Sequence, residues 1–170
     1  GKGRVRIIGH TNYDVADQLA DLGMEAIHPK ASKGMERLQI PIRVKNAFEP
    51  EHPGTLIRHD YQSVNPRVEM ITGRKNLMAV ELVDHHMVGQ VGYDLRILKH
   101  LADWEISYVA KNTNANTITH YIGAEETNLD RCLAALRADF PGATFRTVKV
   151  AIVCAIGSNM KVPGFMSKAA

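Results

Sequence analysis

The sequence predicts two kinds of fold in succession: α/β chain up to about residue 60, then an α+β module with the order βαββαβ. Three observations carry this reading. Short apolar runs alternate with amphipathic helical stretches as far as Asn46, the rhythm that builds a parallel sheet with covering helices. From Leu77 the rhythm becomes strand, helix, strand, strand, helix, strand, which is the ferredoxin-like arrangement. From Val150 a shortened copy begins, in which Gly157 to Met160 and Pro163-Gly164 repeat the logic of Met87 to Gly92. The chain therefore divides as 1–62, 63–148 and 149–170, the last being a strand and a first helical turn that lack partners of their own.

Taken in order, Val5 to Ile8 reads as a short strand. Thr11 and Asn12 offer helix caps, and Asp14 follows as the acidic member of a capping box. Val15, Ala16, Leu19, Ala20 and Leu22 then recur at helical spacing until Gly23 closes the helix. Met24 to Ile27 resembles a short buried strand, and His28-Pro29 opens a second helix to about Leu38, proline being suited to a first turn. Ile40 to Asn46 alternates with period two, as a strand does, and Phe48 to Thr55 is rich in turn residues.

In the second region, Val68–Thr72 and Leu77–Val83 are strand candidates. Gly89 to Gly92 leads into a helix from Tyr93 to about Asp103, with Leu95, Ile97, Leu98 and Leu101 apolar. Strands at Ile106–Ala110 and Thr117–Ile122 are linked by the polar stretch Lys111 to Asn116. Thr127 caps a helix with Leu129, Cys132, Leu133 and Leu136 on its apolar face, ending before Pro141-Gly142. Phe145–Val150 and Val150–Ile156 complete the strands.

Composition narrows the function classes. With 45% hydrophobic residues among 170, wholesale disorder is excluded. A net charge of +3, from 21 basic and 18 acidic residues with the signs interspersed, gives no footprint for a nucleic acid. The longest apolar run, Val150 to Ile156, is far short of a membrane span. Cys132 and Cys154 are too few for a disulfide scaffold and read as free thiols of a cytoplasmic protein. Gly1 in place of a methionine, and the stub after Ile156, read as a piece of something longer.

No residue set makes a self-sufficient active site. Neither G-x-G-x-x-G nor G-x-x-x-x-G-K occurs, so no complete phosphate-cradling loop is present. His85-His86 is a poor metal pair, because neighbours on a strand point opposite ways and no further ligands join them. Cys132 lies on an apolar helix face without a nearby base. Four stretches stand out: Gly23 to Pro29 ends one helix and starts another at a buried His-Pro, Ile40 to Asn46 delivers Arg43 and Lys45 to one side of a strand end, Phe48 to Thr55 is a rigid turn, and Lys111 to Thr117 (KNTNANT) is rich in short amides and hydroxyls able to bind a small polar ligand.

Read together, these stretches resemble the C-terminal part of aspartate kinase. The run YDVADQLADLGMEAIHP followed by IPIRVKNAFEPEHPGTLI is similar to the end of that family's catalytic α/β sandwich, the amino-acid-kinase fold. KNLMAVELVDHHMVGQVGYDLRILKHL with ISYVAKNTNANTITHYI is similar to its first ACT regulatory module, and KVAIVCAIGSNMKVPG to the start of its second. NANTITHY is closest to the aspartate kinases of ectoine biosynthesis.

The resemblance implies a parent enzyme that transfers the γ-phosphoryl group of ATP to the β-carboxylate of aspartate with Mg²⁺, in the pathways to lysine, threonine and methionine or to ectoine. The glycine-rich loops and catalytic side chains of the family lie upstream, so this chain is not expected to catalyse alone. Of the nucleotide site it would keep only an edge at Lys45 and Asn46. It implies an effector site for lysine or threonine at Met87, Gln90, Tyr93 and Asp94, then Tyr108, Val109 and Asn114, and a homodimer formed through ACT modules. Lysine-sensitive relatives commonly carry an acid where this chain has Val109, so weak or altered effector binding is expected. A free-standing amino-acid sensor and a purely structural dimerisation module are the competing readings.

Overall fold

The computed structural model describes residues 7–22 and 27–164. Contacts divide the chain into two compact units, 1–73 with 153–170, and 74–152. The division falls inside two long strands.

The first unit holds β1 (His10–Thr11), α1 (Tyr13–Asp21), α2 (Pro29–Arg37), β2 (Ile42–Val44) and β3 (Thr55–Ile57). Asn12, not Thr11, caps α1, its Oδ1 accepting from Val15 N at 2.9 Å. Thr11 is instead taken up by β1. His28 caps α2, Nδ1 accepting from Lys30 N at 3.2 Å. The expected strands at Val5–Ile8 and Met24–Ile27, and the Gly23 cap, fall wholly or partly outside the described residues.

The small sheet has the order β1-β3-β2. It is mixed, which corrects the parallel sheet expected: β1 and β3 are parallel, but β2 and β3 are antiparallel. The reason lies in the turn between them. Residues 45–54 reverse the chain directly, and a direct reversal gives an antiparallel neighbour, whereas a parallel one needs a crossover. Gly54 completes the reversal at φ +70°, where an added Cβ would lie 2.1 Å from the Val44 carbonyl oxygen. Val15, Leu19, Met70 and Ile156 form the buried core of this unit.

The remaining elements are β4 (Met70–Val83), α3 (Tyr93–Asp103), β5 (Tyr108–Thr113), β6 (Thr117–Gly123), α4 (Leu129–Asp139) and β7 (Thr144–Ile156). The sheet order is β5-β6-β4-β7. Counted within the module, this is second, third, first, fourth, the ferredoxin-like topology the pattern predicts. β4 pairs antiparallel with β6 from Leu77↔Gly123 to Val83↔Thr117, and β5 pairs antiparallel with β6. Beneath the helices Val80, Leu82, Ile97, Leu101, Ile118, Ile122, Cys132 and Leu136 close a continuous core.

Further details differ from the sequence reading. β4 is one strand where Val68–Thr72 and Leu77–Val83 suggested two, because Asn76 takes φ 56° and carries the chain past the polar interruption. Asparagine tolerates that left-handed conformation better than most residues. β7 is likewise one strand across Val150. Leu95, expected on the apolar face of α3, is 68% exposed; the buried face is Tyr93, Ile97 and Leu101. α4 starts at Leu129 with Asn128, not Thr127, at the cap.

Candidate functional site

The strand end at Val83 and the start of α3 are joined by a short loop that folds back on itself. Asp84 organises it. Its Oδ1 accepts from His86 N at 2.8 Å, its carbonyl accepts from Met87 N at 3.2 Å, and its Oδ2 accepts from the Tyr93 hydroxyl at 2.7 Å. Its own N–H donates to the Asn116 carbonyl at 2.9 Å, tying the loop to the β5–β6 turn. These bonds hold the Asp84 carboxyl below the usual carboxylate range, the Tyr93 hydroxyl contributing most. Burial, and then the Asp84 partner, push the Tyr93 hydroxyl well up. Gly92 enters α3 at φ 77° in open space, so the conformation rather than crowding calls for glycine.

The β5–β6 turn forms the facing wall. Lys111 to Thr113 belong to β5, and the turn itself is Asn114 to Asn116, closed by Asn114 N donating to the Thr117 carbonyl at 2.9 Å. Between loop, helix start and turn lies an open hollow lined by Met87, Gln90, Tyr93, Asp94, Thr113, Asn114 and Ile118. Asp94 is its carboxylate. One oxygen accepts from Lys111 Nζ at 2.5 Å, and the pairing raises the lysine above its usual value. The other oxygen, Oδ1, is buried without a hydrogen bond, 3.9 Å from His120 Nε2, which is buried and equally unpartnered.

Of the residues singled out from sequence, Met87, Gln90, Tyr93, Asp94 and Asn114 converge on this hollow. Tyr108 does not; it lines a separate concavity with Leu98, Leu101 and Ile106 and packs edge-on against the His120 ring at 5.3 Å between centroids. Val109 stands at a break in the β5–β6 register between Tyr108 and Ala110, and is half-buried. Lys45 and Asn46 lie in the first unit, where Lys45 Nζ donates to the Pro50 carbonyl and Asn46 Oδ1 accepts from Phe48 N at 3.1 Å. Arg43 likewise donates to the Pro53 carbonyl at 2.8 Å.

The remaining candidates stay apart. His85 contacts Asn116 at 3.2 Å while His86 lies beside Asp84, and among the described residues no group of three potential metal ligands gathers. Cys132 is fully buried, and that burial pushes its thiol up to about 11, the opposite of an activated nucleophile. Sequence reasoning missed Asp84, Lys111 and His120. An aspartate at a strand end before a short loop is a recognisable Asx-turn signal; Lys111 was hidden by its placement in a loop, and His120 by having no local pattern at all.

No family model matches the chain. It is 46% identical over 168 residues to the aspartate kinase Ask_Ect of Stutzerimonas stutzeri, a match that covers 99% of this chain and 35% of that protein. Aspartokinase 1 of Arabidopsis thaliana chloroplasts is 27% identical over 104 residues, 61% of this chain and 18% of that protein. The chain thus spans about a third or less of the curated relatives it matches. Among solved structures, the aspartate kinase of Clostridium acetobutylicum shares the fold at a TM-score of 0.85 with 22% identity, covering 98% of this chain and 40% of that one. E. coli aspartokinase III, in complex with lysine and aspartate in the T-state, follows at 0.69 with 20% identity, covering 87% and 34%. The chain is thus similar along nearly its whole length to about a third of an aspartate kinase, and it shares its fold, with the βαββαβ module, with part of solved aspartate kinases.

Proposed function

We propose that the chain is the regulatory portion of an aspartate kinase and holds a small amino acid in the hollow at the start of α3. The observation that carries this is the convergence of Met87, Gln90, Tyr93, Asp94 and Asn114 around one opening. Short amide and hydroxyl groups from Thr113 and Asn114 suit the carboxylate and ammonium of a free amino acid. The lysine bound by E. coli aspartokinase III supports an amino acid as the class of effector. A lysine side chain would meet Asp94 already neutralised by Lys111, so threonine or another neutral amino acid fits this hollow better.

The longer enzyme would be a cytoplasmic kinase that phosphorylates aspartate with ATP and Mg²⁺, and the relative Ask_Ect favours the ectoine branch. Lys45 and Asn46 would meet the nucleotide only after leaving the turn that now occupies them, which fits an edge of a nucleotide site rather than its centre. Edge strands β5 and β7, the latter exposing Val148 and Val153, support self-association through the sheet. Thermal melts with lysine, threonine and other amino acids test the sensing role. A true effector at a hundred times its Kd stabilises by about 2.7 kcal/mol; no shift with any amino acid at millimolar concentration overturns it. Size-exclusion at two concentrations tests the dimer, and a monomer throughout refutes it.

A further inference from the structure

His120 lies beside Asp94, outside the contacts proposed for an amino acid. It sits on β6 with its side chain 3% exposed, and its Nε2 makes no hydrogen bond. From α3 it faces Asp94, whose buried Oδ1 is also unpartnered at 3.9 Å. From β5 it faces Lys111, its register partner, and the ring of Tyr108; from β4 its register partner is the uncharged Val80. Two buried polar atoms left unsatisfied side by side are costly, and a hydrogen on Nε2 satisfies both; protonating the ring supplies it whichever tautomer the neutral imidazole holds.

We propose that His120 is a proton-operated gate on the effector hollow: once protonated it engages Asp94 Oδ1 and leaves the cluster with a net positive charge against an amino acid's ammonium group. The inference rests on the hollow being an amino-acid site and adds its regulation. With His120 neutral, Asp94 and Lys111 sum to zero charge; with it protonated, the cluster carries one net positive charge and repels an ammonium group. Burial pushes the imidazole below its ordinary value, Lys111 pushes it the same way, and Asp94 opposes them. The gate therefore stands open at neutral pH and closes on acidification. By reciprocity, a bound amino acid makes His120 harder to protonate.

Calorimetric titration of the 170-residue chain with threonine and with lysine at pH 7.5 and 5.0 tests this. Affinity is expected to fall at least about tenfold at the lower pH, an effect that one unit charge still exerts from about 12 Å away at an effective dielectric of about 20. His120→Gln, which keeps a donor near Asp94 but cannot titrate, removes the pH dependence. The double variant H85Q/H86Q keeps it, separating His120 from the two imidazoles on the neighbouring loop. Equal slopes in wild type and His120→Gln overturn the gate. If neither amino acid binds at any pH, the functional reading has failed, and imidazole NMR of the ligand-free chain still decides the gate. There Asp94→Asn should lower the His120 titration midpoint, and a midpoint that does not move refutes it.

Discussion

Replacing Tyr93 by phenylalanine removes a single oxygen and isolates what the Asp84 contact contributes. The ring survives, with its packing on Phe140 at 5.0 Å between centroids. What is lost is the 2.7 Å bond between two buried side chains, from the Tyr93 hydroxyl to the Asp84 carboxylate. A hydrogen bond to a charged group contributes roughly 1.5–3 kcal/mol, and removing one partner leaves the other short of a donor. For a cooperative unit of roughly 60–100 residues each kcal/mol moves Tm by about 4–8 °C, so Tyr93→Phe should melt roughly 6–24 °C lower. The pH dependence gives a second handle. Asp84 is held below the ordinary carboxylate range, so its contribution is complete above a pH of about 4 and is lost as pH falls through its folded value. The Tyr93 bond is the main cause, so the variant lacks most of this contribution. Denaturant melts from pH 7 down to about 3 should therefore show the gap between the two proteins narrowing with acid. A gap below about 0.5 kcal/mol, or one that stays constant across that range, refutes the assignment of Asp84 as the organiser of this loop.

Three further outcomes follow from other parts of the molecule. Ile122 is fully buried at the centre of the sheet, so Ile122→Ala should cost about 2–5 kcal/mol with an unchanged denaturant slope; a loss under 1 kcal/mol contradicts the packing described. Gly54→Ala should destabilise the first unit by at least about 1–2 kcal/mol for the left-handed backbone alone, before the clash with the Val44 carbonyl is counted; an unaltered melt refutes the turn geometry. In thiol labelling of the native chain at pH 8, half-buried Cys154 should react first, and Cys132, its thiol pushed up to about 11, only on unfolding; rapid modification of both contradicts the burial of α4.

The parts legible in sequence are those whose signals are local. α3 spans Tyr93–Asp103 as its spacing predicts, because Gly92 starts it and the apolar positions recur on one face. α4 buries Leu129, Cys132, Leu133 and Leu136 for the same reason. β1 and β3 were missed because strands of two and three residues exist only by pairing with each other. The register break at Val109 has no sequence mark either, since it depends on which β6 residue each β5 residue meets. Asp94 was visible as a charge near a helix start, but its ion pair was not: Lys111 is 17 positions away and was assigned to a loop. Side chains that act through a partner on another element are invisible until the topology brings the two together.

That pairing changes how the hollow should be understood. The absence of an acid at Val109 suggests that Asp94 could take over the recognition of a cationic side chain. The geometry argues otherwise. Asp94 spends one oxygen on Lys111 and turns the other inward toward His120, so a cationic ligand must either displace Lys111 or join a site with no net negative charge left. Displacement exchanges one ammonium for another and gains little. Recognition of a zwitterion would ask less, because in the proposed site the Thr113 hydroxyl and the Asn114 amide would meet its charged groups without a net charge of their own. In the proposed site the Asp94–Lys111 pair would thus set selectivity against a cationic effector, by what it has already neutralised. Lys111→Met separates the contributions: by freeing the carboxylate it should raise the affinity for lysine, with its second ammonium group, about tenfold more than that for threonine, and calorimetry showing parallel changes for both would refute the argument.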